Sequence, residues 1–347
     1  MILLPKPSSP RHGAFPATAS AGPAPAVPAW LRRAVPDAQG LSAQGSGTIE
    51  DVALAAGAAI AVLDAVVRRQ ERWAGAWRQR LALAAAAATA RQAGRIEDEA
   101  ALRDAVLLAR PDDLPTHPGP AGLLLLAWHR LAARPAAELL TAKNLAAALE
   151  EFGCALDDEA AGDLAQQLRQ LGAGAGTTGL LTGAFAAADR RGFGRVVGAW
   201  IADALLAGRL GWARAVPLLG TEAVFGASPG RSRRTAKAQA SANIVDEAGW
   251  ANALLAAQAR AALRAVDLSA ELGRRADKLL AVAPKLRARG ADAIVERLLG
   301  EDALVASRAD RSAGMSDRGL RRLFDRLVSL GAVRELSGRP AFRIYGL

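Results

Sequence analysis

Hydrophobic residues recur at helical spacing through most of this 347-residue chain. From Thr48 onward, apolar positions return every three or four residues, which is the period of one face of an α-helix. Thr48-Ile49-Glu50-Asp51 has the form of an acidic capping box, and it predicts the start of a long helix. Further segments with this spacing lie at 73–93, 95–108, 123–134, 193–210 and 243–283. The pattern predicts a mainly α-helical protein built as a multi-helix bundle.

The segment 316–347 carries the sharpest pattern of the chain. Its first half is a predicted helix, in which Ser316 is placed to cap the N-terminus and Gly331 to end the C-terminus in a left-handed conformation. One face of this helix carries the apolar residues Leu320, Leu323, Phe324, Leu327 and Leu330. The rest of its surface carries the basic residues Arg318, Arg321, Arg322 and Arg326. Such a distribution predicts a helix with one buried and one basic face.

Two short strand-like runs, 332–336 and 341–345, follow this helix and are joined by the turn residues 337–340. In the second run, strict alternation puts Phe342 and Ile344 on one face and Arg343 and Tyr345 on the other. A basic amphipathic helix followed by a hairpin is typical of a winged helix-turn-helix. The remaining helices of such a unit are expected at 291–299, after the long helix is broken at Pro284, and at 303–307.

Composition favours close helix packing and a basic surface. Hydrophobic residues make up 51% of the chain but aromatic residues only 4%, so the core is built mostly from alanine and leucine. The formal net charge is +10, and from residue 274 to the end 16 basic residues face 9 acids, a difference of +7. A basic face attracts polyanions such as nucleic acid. The excess could equally belong to a solvated, arginine-rich surface, and that alternative stays open.

Three regions are expected from these patterns. Residues 1–47 hold much of the proline and predict a disordered Pro/Ala-rich arm, whose end could dock through Trp30 and Leu31. Residues 48–284 are expected to form an all-helical domain, serving as a homodimer interface or a sensor, although no small-molecule ligand is identifiable. Residues 285–347 are expected to form a winged-helix-like domain.

Known catalytic and metal-binding patterns are missing from the sequence. One cysteine, Cys154, and three scattered histidines make no metal-ligand set, so neither a metal nor another cofactor is expected. The glycine-rich stretch 171–183 lacks the lysine of a phosphate-binding loop, and we interpret it as an interhelical linker. An enzyme that uses acids such as Glu97, Asp98 and Asp104 stays a minor alternative. With no secretory signal and no long apolar run, a cytoplasmic protein is expected.

DNA is the partner that this pattern favours most. The helix would enter the major groove with Arg318, Arg321, Arg322 and Arg326, while the hairpin would follow the backbone with Arg339 and Arg343. Transcriptional regulation is one role that such binding would serve. The alternative is a protein–protein interaction module, in which the same unit packs on a partner or on its own body and binds no DNA.

Several stretches together resemble a family found mostly in alphaproteobacteria, domain of unknown function 1403. They are WAGAWRQRLALAAAAATARQAGRIEDEAALRDA, GPAGLLLLAWHRLAARP, LGWARAVPLL, RADKLLAVAPKLRARGA and the terminal SDRGLRRLFDRLVSLGAVRELSGRPAFRIYGL. The family name implies no activity. The terminal segment also resembles the winged-helix tails of Fic-type proteins, through its arginine-rich helix, its Leu330-Gly331 step and its Ser337-Gly338-Arg339 turn. The Fic catalytic motif is absent, so adenylylation is not implied.

Overall fold

The computed structural model describes residues 26–35, 48–108, 118–222, 247–306, 314–339 and 342–347. Within these ranges the chain is mainly helical, as the apolar spacing predicts. The thirteen α-helices described are α1 (Ala29–Ala34), α2 (Ile49–Arg68), α3 (Ala74–Gln92), α4 (Glu99–Leu107), α5 (Gly119–Ala133), α6 (Ala136–Leu139), α7 (Ala142–Glu151), α8 (Asp158–Gly174), α9 (Thr177–Asp189), α10 (Gly194–Leu210), α11 (Glu247–Val282), α12 (Ala291–Gly300) and α13 (Asp317–Ser329).

A small antiparallel sheet lies near the C-terminus. Its strands are β1 (Leu304–Val305), β2 (Arg334–Glu335) and β3 (Ile344–Gly346), arranged in the order β1-β3-β2. Leu304 lies opposite Tyr345 on one side of β3, and Glu335 lies opposite Tyr345 on the other. The central strand is therefore the last one in the chain. We call the described residues from α12 onward (291–306, 314–339 and 342–347) the C-terminal unit.

The helices before the C-terminal unit pack in pairs around an alanine- and leucine-rich core. In this helical body, α2 lies against α11, α3 against α5, α7 against α8 and α9 against α10. Three buried tryptophans join the pairs, because each donates its indole N–H to another helix: Trp77 to Ala265 O at 2.9 Å, Trp200 to Ala127 O at 2.9 Å and Trp128 to Thr89 Oγ1 at 3.1 Å. Because these rings are buried and their N–H groups are hydrogen-bonded, they fix the relative positions of the helices.

Helix starts follow the local chemistry of the sequence. The predicted capping residue Thr48 accepts a hydrogen bond from Asp51 N at 3.3 Å at the start of α2. Asp98 caps α4 in the same way, accepting from Ala101 N at 2.8 Å. The side-chain oxygen satisfies an amide that has no partner within its own helix. These two helix starts are set by residues close in sequence.

The interpretation of 171–183 as a linker is wrong. Helix α8 continues to Gly174 and α9 begins at Thr177, so only two residues lie between them. A Cβ at Gly183 would lie 2.6 Å from the Cδ1 atom of Leu171. Glycine at this position therefore lets the Leu171 side chain pack directly on the α9 backbone, rather than making the chain flexible.

Two expectations for the C-terminal unit are also wrong. Residues 303–307 were expected to be helical, but Leu304 and Val305 form β1 because they pair with the last strand. The alternation expected over 341–345 fails as well, because the strand begins only at Ile344. Phe342 lies outside the strand, half exposed, with a φ of +54°. Ile344 and Tyr345 are both buried, because the central strand β3 is covered on both faces, whereas β2 is exposed.

Residues 26–35 are the described part of the predicted N-terminal arm. They form α1, in which Leu31 is buried against the helical body while Trp30 is about half exposed. Arg32 pairs with Asp267 of α11 at 2.6 Å. The docking expected of Leu31 is therefore present. Residues 1–25 and 36–47, on which the prediction of disorder mainly falls, lie outside the described residues.

No helix in the described part of the chain combines the length and the apolar character needed to cross a membrane.

Replacement of Gly220 by alanine is expected to lower the free energy of unfolding by about 1–3 kcal/mol through overpacking. Gly220 lies in the short 3-10 helix Leu219–Thr221, and a Cβ there would overlap the Trp128 ring and lie 2.9 Å from Ala85 Cβ. Trp128 cannot move aside easily, since it is fully buried and bonded to Thr89. Urea denaturation followed by circular dichroism measures the loss.

Gly162→Ala is the matched control for this substitution. Gly162 lies within α8, where an added Cβ would meet no atom within 4 Å. Alanine is the better helix former, so this variant should be more stable by about 0.5–1 kcal/mol. If both variants shifted the urea midpoint in the same direction, overlap of the added Cβ with Trp128 would be ruled out as the cause of the Gly220→Ala effect.

Candidate nucleic-acid interface

The predicted basic helix is present as α13. Ser316 Oγ accepts a hydrogen bond from Gly319 N at 3.3 Å, and Gly331 ends the helix region with a φ of +66°. Both features are those that the sequence predicts for the start and the end of this helix. Four residues of the predicted apolar face are buried: Leu320, Leu323, Phe324 and Leu327. The helix therefore presents its opposite face outward.

The outward face of α13 carries the four arginines that the sequence singles out. Arg318, Arg321, Arg322 and Arg326 are all exposed. Within the described residues none of them forms an ion pair. Their spacing of three, four and eight residues from Arg318 places them on one side of the helix. We call this set the α13 arginine face.

Many arginines of the helical body form ion pairs with acids, unlike the four arginines of the α13 arginine face. Arg130 pairs with Glu151, and Arg260 with the buried Glu222 at 2.9 Å. On the outward face of α13 the acid among the arginines is Asp325, which lies 4.0 Å from Arg343. The α13 arginine face is therefore a concentration of positive charge, which draws polyanions at long range and raises their rate of encounter.

An aromatic stack holds α13 on the sheet. The rings of Phe324 and Tyr345 are stacked with centroids 4.4 Å apart and planes 11° from parallel. Both side chains are almost fully buried. Because a stacked pair in a close-packed core has few alternative positions, it fixes the orientation of α13 relative to β3. The direction in which the arginines point is thus set by the core.

The two hairpin arginines that the sequence predicts as DNA contacts differ from the four arginines of α13, because both have polar partners within the protein. Arg339 forms an ion pair with Asp104 of α4, so this residue contacts the helical body. Arg343 is about half exposed, donates from Nε to Arg339 O at 3.3 Å and has Glu335 at 3.9 Å. A hydrogen bond to Tyr345 and, after it, the nearby acids raise the pKa of Arg343 above its ordinary value. Neither residue belongs to the α13 arginine face.

Asp302 joins the C-terminal unit to the helical body. Its carboxylate is buried between Arg80 of α3 and Arg103 of α4, with Arg103 Nε at 2.9 Å, and its own N–H donates to Gln79 Oε1 at 3.1 Å. Burial alone would raise the pKa of Asp302, but the two guanidinium groups outweigh it and hold the pKa below its usual range. The carboxylate is therefore charged and paired at neutral pH.

Further contacts surround this ion pair. Glu296 of α12 pairs with Arg72, and the terminal Leu347 O accepts from Arg275 Nη1 of α11 at 3.0 Å. A Cβ at Gly75 would lie 2.5 Å from Gly300 O, so α3 and α12 approach with almost no space between their backbones. These contacts hold the C-terminal unit against the helical body and leave the α13 arginine face outward.

The acids considered for an enzyme do not converge. Glu97 pairs with Arg95 at 2.5 Å, Asp98 caps α4, and Asp104 pairs with Arg339. Each carboxylate thus has a structural partner. Among the described residues there is also no group of three or more histidine, cysteine, aspartate or glutamate side chains that could hold a metal ion.

The fold and the charged face describe a mainly helical protein with a small C-terminal helix-and-sheet unit. Residues 17–347 match the family described as Protein of unknown function (DUF1403), and the chain belongs to that family. No curated protein and no solved structure matches the chain. The family membership predicted from the quoted stretches is confirmed, and a function has to be argued from the molecule itself.

Proposed function

We propose that this protein binds DNA through the α13 arginine face, in a role such as transcriptional regulation. The observation that carries the proposal is a set of four exposed arginines, Arg318, Arg321, Arg322 and Arg326, without acidic partners in the described chain. Asp325 lies on the same side of α13, but the arginine within ion-pair distance of it is Arg343, whereas arginines of the helical body such as Arg130 and Arg260 are paired with acids. A net positive charge on one rigid helix suits a regular line of phosphates.

The order of elements supports a winged-helix interpretation of the C-terminal unit. Helix α12, strand β1, helix α13 and strands β2 and β3 follow one another, and β3 lies between β1 and β2. The connection between β2 and β3 would be the wing. In helix-turn-helix proteins the second helix of the motif enters the major groove. By that likeness α13 would be the recognition helix.

The proposed contacts divide by their position on α13. Arg318 is nearest the N-terminus, the end of a recognition helix that reaches base edges, and it would contact guanine. Arg321, Arg322 and Arg326 would contact phosphates and fix the register of the helix. Arg343, about half exposed beside the wing, would add a backbone contact, whereas Arg339 would first have to leave Asp104.

The double substitution Arg321→Ala/Arg322→Ala is expected to weaken DNA binding by about 10- to 100-fold at low salt, because two charge-assisted contacts are lost. Both side chains are exposed, so the fold should persist. The measurement is fluorescence polarisation of short labelled duplexes of random sequence, titrated with the full-length protein.

A charge-matched control separates the effect of losing a DNA contact from the effect of losing net charge. Arg169→Ala/Arg190→Ala removes two exposed arginines at and near α8 and α9 of the helical body, where no DNA contact is proposed. Its affinity should stay within about threefold of wild type, since it removes the same charge as the test variant but no proposed phosphate contact. Equal losses in the two double variants, or no saturable binding by the wild type, would reject the α13 arginine face as the DNA contact.

A protein-interaction role is the second candidate, and the docking of the C-terminal unit on its own body favours it. Asp302 with Arg80 and Arg103 forms the main contact of this kind. A unit that already packs on one protein surface could pack on another. If the wild type binds no duplex but forms a complex with another polypeptide that depends on Arg321 and Arg322, this role replaces DNA binding.

A further inference from the structure

A cavity of about 410 Å³ lies where the end of α2 and the start of α3 meet the segment after α10. Among the described residues that line it, four are arginines and one, Glu71, is an acid. The arginines are Arg68, Arg72, Arg78 and Arg214. We call this space the arginine cavity. Its lining carries four positive charges against one negative charge.

The acidic side chains near the arginine cavity already form ion pairs with arginines. Glu71 pairs with Arg69 at 2.7 Å, and Arg68 pairs with Asp64 at 2.7 Å. Arg72 pairs with Glu296 of the C-terminal unit. Within the described residues no acidic side chain is paired with Arg78 or Arg214. These two guanidinium groups are the unneutralised charges of the cavity.

Arg78 and Arg214 are nevertheless held in place. The Nε–H of Arg78 donates to Ala132 O at 3.2 Å, and that of Arg214 donates to Ala133 O at 3.1 Å. Two consecutive carbonyls at the end of α5 therefore anchor the two side chains next to each other. A guanidinium has five N–H donors, and the Nε–H bond leaves the terminal nitrogens available for a ligand.

Placing two cations together is unfavourable without an anion. Burial and, after it, the charge of Arg214 lower the pKa of Arg78 to about 10. Arg78 is still protonated at neutral pH, so the like-charge contact persists. Structural arginines that are partly buried are normally paired with an acid, as Arg260 is with Glu222. A bound anion would supply the missing partner.

The start of α3 adds to the positive field of the cavity. Ala74 and Gly75, the first two residues of α3, lie in the lining. The preceding residue, Trp73, provides no side-chain hydrogen bond to the first turn. Ala74 N donates to Glu71 O at 2.8 Å, and the N-terminus of this 19-residue helix carries a partial positive charge that favours an anion.

We propose that the arginine cavity binds a small anionic molecule, whose phosphate or carboxylate group is held in the fork of Arg78 and Arg214. Guanidinium groups match both anions through paired N–H donors. The volume falls within the range of small-molecule sites in proteins, roughly 300–1,000 Å³. This site is separate from the α13 arginine face, and either proposal can fail without the other.

The test is isothermal titration calorimetry of the full-length protein with two probes, inorganic phosphate and succinate. Wild type should bind at least one probe in a saturable manner with one site per chain. Arg214→Met should weaken that binding at least about tenfold, because it removes one of two charge-assisted donors. Arg214 is exposed at the cavity mouth, so this variant should fold, which circular dichroism checks.

Two further variants complete the design. Arg214→Lys keeps the charge but not the fork and should bind with intermediate affinity, while Arg169→Met removes an exposed arginine of α8 and should bind as wild type. Binding of phosphate alone identifies a phosphoryl group, and binding of succinate alone a carboxylate. Failure of both probes to bind, or equal affinities of Arg214→Met and Arg169→Met, would overturn the proposal.

Discussion

Replacement of Asp302 by alanine is expected to lower the free energy of unfolding by about 3–5 kcal/mol, because removing one partner of a buried ion pair leaves the other partner's charge buried and uncompensated. Here two guanidinium groups, Arg80 and Arg103, would lose their shared carboxylate at once. Both arginine side chains are largely buried, so water cannot fully replace the acid. Urea denaturation of the full-length protein measures the change.

An exposed ion pair provides the control for Asp302. Asp267 pairs with Arg32 at 2.6 Å, but about half of each side chain is exposed to solvent. Asp267→Ala should cost no more than about 1 kcal/mol, since solvent screens such pairs. A similar small cost for Asp302→Ala would mean that Asp302 does not hold the C-terminal unit on the helical body.

Between pH 6.5 and 8 the protein is expected to lose up to about 1.4 kcal/mol of stability per pH unit through a second buried carboxyl, Asp203, with the slope halved at pH 8. Asp203 lies fully inside the helical body on α10 and accepts hydrogen bonds from Leu218 N at 2.8 Å and Leu219 N at 3.1 Å. Burial raises its pKa to about 8 despite these two bonds. Folded Asp203 therefore keeps a proton that the unfolded chain releases above its ordinary pKa of 3.8.

The direction of this effect follows from proton binding. The folded state binds one proton more than the unfolded state between pH 3.8 and 8, so raising the pH favours unfolding. His129 acts in the opposite direction at lower pH, because burial lowers its pKa from 6.5 to about 4 and stability rises over that interval. The unfolded-state imidazole is still half protonated at pH 6.5, so His129 offsets part of the loss until about one pH unit higher, and above that Asp203 alone of these two groups still titrates.

Asp203→Asn isolates the contribution of this carboxyl. The amide oxygen can still accept from Leu218 N and Leu219 N, but the side chain no longer titrates. The decline in unfolding free energy between pH 6.5 and 8 should therefore disappear in the variant. Parallel curves for wild type and Asp203→Asn over this range would contradict a neutral buried carboxyl.

The sequence predicts those parts of the molecule that depend on neighbouring residues. Helix α13 follows from its apolar period and from the local signals of Ser316 and Gly331. The outward position of Arg318 and of the other three arginines follows from the same period, because a helix with one buried face must expose the other. The amino-acid pattern alone therefore predicts this part of the candidate site.

Other features depend on residues far apart in the chain and could not be predicted. Leu304 and Val305 form a strand only because Tyr345 and Ile344 lie beside them. Glycines at 171–183 suggested a linker, yet α8 and α9 are helical because packing contacts between helices outweigh weak helix propensity.

The role of Asp302 is likewise invisible in the sequence. Nothing beside it indicates that Arg80 and Arg103, on two other helices, would meet its carboxylate. A signal does exist at Arg80, which lies on a face of α3 with Ala76, Leu83 and Ala84, because an arginine buried among apolar residues requires an acidic partner. Which acid it finds is decided by the tertiary fold.

The most direct test of DNA binding is the salt dependence of the affinity. Each phosphate contact contributes about −0.9 to the slope of log K against log salt concentration. Wild type should give a steep negative slope, and Arg321→Ala/Arg322→Ala should reduce its magnitude by about 2 while the Arg169→Ala/Arg190→Ala control leaves it unchanged. Identical slopes for wild type and the Arg321/Arg322 variant would contradict the proposed binding mode, because Arg321 and Arg322 would then contact no phosphate.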